Sequence, residues 1–392
     1  MPRDVVITGI GLLSSLGEGV APHLALLESP SVNVDEKSFA PFPVHPLGPI
    51  NYDLQIPKKG DQRQMEQWQR NGVYTAGLAL DDAGLKDKPD LLAKTHMIVA
   101  AGGGERDENV DEAVMSGMRQ AQDKGAYLNE RLANDLRPTL FLAQLSNLLA
   151  GNISIVHGVT GSSRTFMGEE MAGLDAMRTL YARIAAGQAE IGLVGASYNA
   201  ERKDMLLLMA FGDALPRAPF VPVWSRKGGM TMGSMGAFLV LEERTHAQKR
   251  GAKIWARFVS ALAGRCTRAP GEATRNLRDF YEALAPHLQD SELNVLSCAS
   301  GVVPITGEEE NFWSGLPKPA HVRAIGSVAG HGLEAQAPFA CALAALALKE
   351  QRFYPPFEAK ETTAKGPPAQ ILVSCCGHWR GEGMILLERE TA

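Results

Sequence analysis

The reactive side chains of this chain fall in a few short stretches, and the first is Gly168-Glu169-Glu170-Met171-Ala172-Gly173. Helical spacing continues from there to 186, which puts Glu170 at a helix N-terminus. Free N–H groups and partial positive charge at such an end favour a carboxylate, and would equally favour a thiolate. Glu170 therefore reads either as helix-end stabilisation or as a group that blocks or lines a passage or reaches an interface. Cys298 and Ser300, in Ser297-Cys298-Ala299-Ser300, are alternative nucleophiles, but the sequence offers neither an adjacent general base. Cys375 and Cys376 are adjacent, cannot bond without strain and lack metal-ligand spacing, so they read as buried thiols and no metal site is expected. Gly102-Gly103-Gly104-Glu105 lacks the later spacing of a dinucleotide loop, and Gly161-Ser162-Ser163 lacks the frame of a nucleophile elbow. No cofactor is expected. Glu308-Glu309-Glu310 reads as a solvated charge run.

Positioning these groups requires buried strands and helices in alternation. Short apolar runs at 5–7, 97–100, 191–194, 237–241, 254–259, 293–296, 321–325, 371–374 and 384–387 read as buried strands. Helical patterns occupy 74–83, 140–149, 171–186, 276–288 and 335–349, so the sheets are mixed and covered on both faces. The charged segment 242–253 is a plausible joint, dividing the chain into 1–245 and 246–392. The proline-rich stretch 29–61 predicts irregular chain, and 106–138 predicts an insertion that caps a pocket or builds a subunit contact.

A length of 392 residues suits two domains or one large duplicated body, and 45% hydrophobic with 21% charged residues is a globular composition. A formal net charge of -5 with scattered basic residues gives no nucleic-acid footprint. Five cysteines, an odd number without a framework, fit a reducing compartment, and the chain is expected to be cytoplasmic. The apolar stretch 339–348 is too short for a membrane span, and the early strand followed by Gly9 and Gly11 is not a signal-peptide layout.

The order of several motifs is more specific than any of these counts. Val5-Val6-Ile7-Thr8-Gly9-Ile10-Gly11, Asn147-Leu148-Leu149-Ala150-Gly151, Gly187-Gln188-Ala189-Glu190, Gly233-Ser234-Met235-Gly236-Ala237 and Gly330-His331 resemble, in sequence order, motifs of the β-ketoacyl-carrier-protein synthases. The resemblance spans essentially the whole chain. It implies a thiolase-like, duplicated αβαβα five-layer α/β fold with mixed sheets.

The resemblance also implies what is missing. Glu170 stands where the family has its nucleophilic cysteine, Ser300 where it has the first histidine, and Gly326 where it has a lysine; His331 keeps the second histidine. No catalytic set is intact. Cys376, Gly377, His378 and Trp379 occupy the family's gating turn, where bulky Trp379 and Arg380 imply a closed or reshaped passage. Such losses resemble the chain length factors of type II polyketide systems, including aryl-polyene-type pairs, although their usual residue at the cysteine position is glutamine. By that resemblance the chain has no independent activity. It forms a heterodimer with a Cys-containing ketosynthase, meets acyl carrier protein through the complex, and shapes the acyl tunnel with Leu140, Phe141, Leu142 and Leu145. The same residues also fit ordinary helix packing. The enzyme alternative is a stand-alone malonyl-carrier-protein decarboxylase or divergent synthase using His331.

Overall fold

The computed structural model describes residues 2–289 and 291–390. Its main sheet has eleven strands, the two-residue Gly17–Glu18 beside the first and ten longer ones: β1 (Val5–Ser14), β2 (His96–Ala100), β3 (Ser163–Phe166), β4 (Ile191–Tyr198), β5 (Met235–Glu243), β6 (Ala256–Gly264), β7 (Leu293–Ser297), β8 (Ala320–Ala324), β9 (Gln370–Cys376) and β10 (Glu382–Glu388). Their order is β8-β7-β9-β10-β6-β1-β5-β4-β2-β3. Numbered within each run, both halves read third, second, fourth, fifth, first, and in both the fifth strand is antiparallel to its neighbours. The two runs meet where Val5–Ile7 pairs with Phe258–Ala256. A fold repeated in topology but not visibly in sequence is the signature of an old duplication.

The principal helices are α1 (Gln67–Asp82), α2 (Glu108–Met118), α3 (Lys124–Asp135), α4 (Leu140–Ala143), α5 (Leu148–His157), α6 (Glu170–Ala185), α7 (Lys203–Phe211), α8 (Glu272–Leu284), α9 (Ile305–Ser314) and α10 (Gln336–Lys349). Helices α6 and α10 pack together and touch strands of both runs, so they form the middle layer. That is why α10 is alanine-rich and buried from Gln336 to Leu348: a helix covered on every side shows no polar stripe. One core surrounds this layer through Leu174, Met177, Phe339 and Leu343. Helices α1 and α5 cover one outer face through Val73, Leu80 and Ile153, and α8 and α9 cover the other through Leu277, Phe312 and Trp313. Five layers result, the thiolase-like arrangement.

Gly9 and Gly11 have a steric reason in this packing. A Cβ on Gly9 would lie 2.4 Å from Ala79 O, and one on Gly11 2.1 Å from Thr75 O, so α1 can lie against β1 only where side chains are absent.

Three expectations change. The pattern at 140–149 is not one helix: α4 ends at Ala143, α5 starts at Leu148, and only Leu140 and Ala143 of α4 are buried, so ordinary core packing does not describe this segment. Glu309 is not on a solvated run but fully buried, because it follows Ile305 by four residues and precedes Trp313 by four on the inward face of α9. Its carboxylate accepts from Ser297 Oγ (2.8 Å) and Ser374 Oγ (2.7 Å), and burial pushes its pKa up. Strand β3 was not foreseen; half-exposed Ser163-Arg164-Thr165-Phe166 carries no apolar run because it forms the rim of the sheet. The 106–138 segment forms α2 and α3, with few buried residues. No helix among the described residues is long and apolar enough to cross a membrane.

Candidate functional site

Glu170 occupies the first helical position of α6 and is fully buried. Its Oε1 accepts three hydrogen bonds: from His331 Nε2 at 2.9 Å, from His378 Nδ1 at 2.7 Å and from the His378 backbone N–H at 3.0 Å. Oε2 is buried without a partner. Burial alone would push this carboxyl up, but the hydrogen bonds and charges of His331 and His378 outweigh it and hold the pKa well below the usual carboxylate range. Burial likewise lowers His378, and contact with Glu170 more than offsets it, leaving the imidazole pKa raised.

Each partner is fixed by backbone. His331 follows Gly330 (φ 74°), its N–H donates to Thr231 O at 2.8 Å, and its carbonyl accepts from Gly233 N at 3.0 Å. His378 rides on the turn between β9 and β10, closed by Gly377 N–H to Gly381 O at 2.9 Å. Arg268 donates to the carbonyls of Gly377 (2.6 Å) and Gly381 (3.0 Å) and pairs with Glu382, so the turn is held from below. Trp379 stands exposed, and Arg380 lies 3.5 Å from Glu169.

The remaining sequence candidates are not hydrogen-bonded to Glu170, although Cys375 lies near enough for the carboxylate's charge to help raise its thiol. Ser300 is buried, but its Oγ accepts from Val302 N–H at 3.2 Å. Gly326 has no side chain to offer, and a Cβ there would meet Val223 and Ala299. Cys298, Cys375 and Cys376 are buried; hydrogen bonding to Cys298 together with burial raises Cys375 well above its ordinary value, and burial raises Cys376 well above its own and also raises Cys298. Thiols held protonated this way are inert as nucleophiles. His378 was read from the sequence only as part of a gating turn; its grip on Glu170 joins positions 208 residues apart and left no local signal.

Leu140 is buried, whereas Phe141 is 70% exposed and Leu142 and Leu145 are exposed as well. Further exposed apolar side chains lie on other segments of the same half. Met167 follows β3 at 71% exposure, and α7 presents Leu207, Leu208 and Phe211. The chain after β2 bridges these parts: Ser146 Oγ donates to Gly102 O (2.6 Å), and Arg202 donates to Gly104 O (2.7 Å). These side chains leave apolar area open to solvent on this half of the chain. Beside it, a cavity of about 30 Å³ bordered by Gly102, Tyr198, Arg202, Leu333 and Glu334 has room for little more than a water.

The layered architecture and the placement of Glu170 define a ketosynthase-like protein of the thiolase class. Residues 50–247 match the "Beta-ketoacyl synthase, N-terminal domain" family, and the chain belongs to the β-ketoacyl synthase family. It is 30% identical to 3-oxoacyl-[acyl-carrier-protein] synthase 2 of Vibrio harveyi over 271 residues, covering 66% of this chain and 62% of that protein. It is 26% identical to the tetracenomycin polyketide synthase ketoacyl synthase beta subunit of Streptomyces glaucescens, over 64% of this chain and 61% of that one. The matched region thus spans less than two thirds of these relatives. Among solved structures, the ishigamide ketosynthase/chain length factor superposes over 100% of both chains with a TM-score of 0.81 at 19% identity. A β-ketoacyl synthase from Burkholderia phymatum STM815 does so at 0.78, also at 19% identity over 100% of both chains.

Proposed function

We propose that this chain is a non-condensing, chain-length-factor-type subunit that pairs with a Cys-containing ketosynthase and shapes its acyl or polyketide tunnel. The observation that carries the reading is Glu170. Condensation needs a nucleophile that accepts an acyl group from a thioester and releases it again, which a low-pKa thiol at a helix N-terminus does readily. Glu170 offers an oxygen already committed to three donors, and the neighbouring thiols are protonated and buried. His331, the one retained family histidine, is tied to that carboxylate.

The pairing surface in this reading is the rim strand β3 with the apolar residues Phe141, Leu142, Leu145 and Met167 around it. An unpaired strand edge beside exposed apolar groups favours addition of a partner strand. Leu140, Phe141, Leu142 and Leu145 then serve as interface and tunnel residues, the turn at Cys376, Gly377, His378 and Trp379 is locked shut, and 1–245 and 246–392 act as the two structural halves. Acyl carrier protein reaches the chain only through the complex.

The test is co-expression with a Cys-containing ketosynthase, with product formation as the readout. We expect the purified chain to release no carbon dioxide from malonyl carrier protein by itself and to co-purify with the synthase. Robust decarboxylation by the lone chain, abolished by His331→Ala, would replace this reading with that of an independent enzyme.

A further inference from the structure

We propose that Glu170, His331 and His378 form a binding site for a divalent borderline transition cation, Zn²⁺ above all, which clamps the 377–381 turn onto helix α6. The donor set consists of two imidazole nitrogens and one carboxylate oxygen, with all three ligand atoms within 4.8 Å of one another. Three protein ligands of this kind, with one position left for water, make up one of the standard zinc sites.

A second observation points the same way. Glu170 Oε2 is fully buried and has no hydrogen-bond partner, so an acceptor is left unfilled within the cluster. A cation chelated by both carboxylate oxygens would satisfy it, with Oε1 still within reach of the His378 backbone N–H. The geometry requires little movement: zinc–nitrogen and zinc–oxygen bonds of about 2.0–2.1 Å set tetrahedral ligand separations of about 3.3 Å. The imidazole nitrogens now stand 2.9 and 2.7 Å from Oε1, so the ligands need to open by only a few tenths of an ångström. On binding, Nε2 of His331 and Nδ1 of His378 present lone pairs to the cation, and the protons they carried move to the other ring nitrogens or to solvent.

Scaffold and access both suit the role. Glu170 is set by the first turn of a 16-residue helix, and His331 by main-chain bonds to Thr231 and Gly233. The His378 side chain retains 9% exposure on a surface turn, which leaves an entry path from that side. Because the ligands are drawn from positions 170, 331 and 378, the cation would cross-link both halves of the fold, and its binding energy would appear as stability.

The experiment uses the full chain stripped by chelation, titrated with Zn²⁺ by calorimetry and with Co²⁺ by visible absorption. The expected result is one saturable equivalent, the ligand-field band of tetrahedral Co²⁺, and a raised Tm. Glu170→Gln and His378→Ala should each weaken binding by at least about 100-fold, since losing even an outer-shell partner costs 10–100-fold. His378→Ala removes a side chain carried on the 377–381 turn, and circular dichroism establishes that the variant remains folded. His321→Ala is the control, because His321 lies 3.1 Å from Glu292 well away from α6 and could bind metal adventitiously. Binding that survives Glu170→Gln, that disappears with His321→Ala, or that is absent from the parent chain overturns the assignment.

Discussion

Strands β3 and β8 hold the same place in the repeated strand order, each at an outer rim of the sheet, yet their edges are treated in opposite ways. The chain around 354–362 straps the β8 edge. Buried Arg323 donates to the carbonyls of Tyr354 (2.9 Å), Pro355 (3.0 Å) and Thr362 (2.8 Å), and Glu361 accepts from the Ala324 N–H (2.9 Å). Among the described residues the β3 edge has no such strap, and its own residues are exposed or half-buried. Exposed large apolar side chains follow the same asymmetry: among the described residues only Val303 and Trp379 lie beyond β6. A strand edge must be covered, charged or paired. One repeat covers its edge within the chain, and the other leaves it open, which is the edge the proposed pairing would use.

The strongest way to break this contrast is to cut the strap. Arg323→Met removes the cation 3.6 Å from Glu361, both side chains being buried. We expect a loss of about 3 kcal/mol in urea unfolding, the low end for a broken buried pair, because Glu361 can take up a proton. The opposite edge should respond in association and hardly in stability. Phe141→Ala is expected to weaken binding to the ketosynthase partner by about 2 kcal/mol if it anchors the interface, with stability of the isolated chain changed by no more than about 0.5 kcal/mol. The same change, or Leu142→Ala, should lengthen the products of the pair; unchanged length would remove these residues from the tunnel.

Thr165→Pro sharpens the comparison further. Met97 N–H bonds to Ser162 O and Ala101 N–H to Phe166 O, so the even positions of β3 face β2 and the Thr165 N–H points outward. Proline there should leave the fold intact and cost about 1 kcal/mol of partner affinity, the worth of one ladder bond. Equal affinity for this variant, measured by titration against the synthase, would mean that β3 does not pair.

The smallest effect is that of pH on the strap. Burial pushes the Glu361 carboxyl from its ordinary 4.5 up to about 7, with the N–H groups of Ala324 and Phe357 and the charge of Arg323 pulling the other way. Its folded-state pKa is thus raised, so its share of stability is complete below about 4.5 and is lost as pH rises through about 7. Urea midpoints should fall across that window in the parent chain and fall less in Glu361→Gln. A parallel decline in both would place the pH dependence elsewhere.

Much of the framework was legible because buried strands and helices leave periodic apolar runs. Nine of the ten longer sheet strands coincide with such runs, and the motif glycines at 9 and 11 answer to helix α1 lying on β1. Strand β3 escaped because a rim strand buries too little to need them. The 140–149 pattern misled because the apolar side chains of Phe141, Leu142 and Leu145 are held out toward solvent rather than packed inward, a choice that spacing does not encode.

The sequence by itself determined that Glu170 opens a helix, since helix periodicity alone shows it, and motif order supplied the resemblance that sets it at the family's nucleophile position. Only the tertiary structure decided what the carboxylate does. His331 and His378 reach Glu170 across 161 and 208 residues of chain, and Glu309 and Glu361 are buried by folding rather than by local composition. Local pattern fixes which way a backbone runs and which face is apolar, whereas partners brought together by layer packing depend on every intervening element at once.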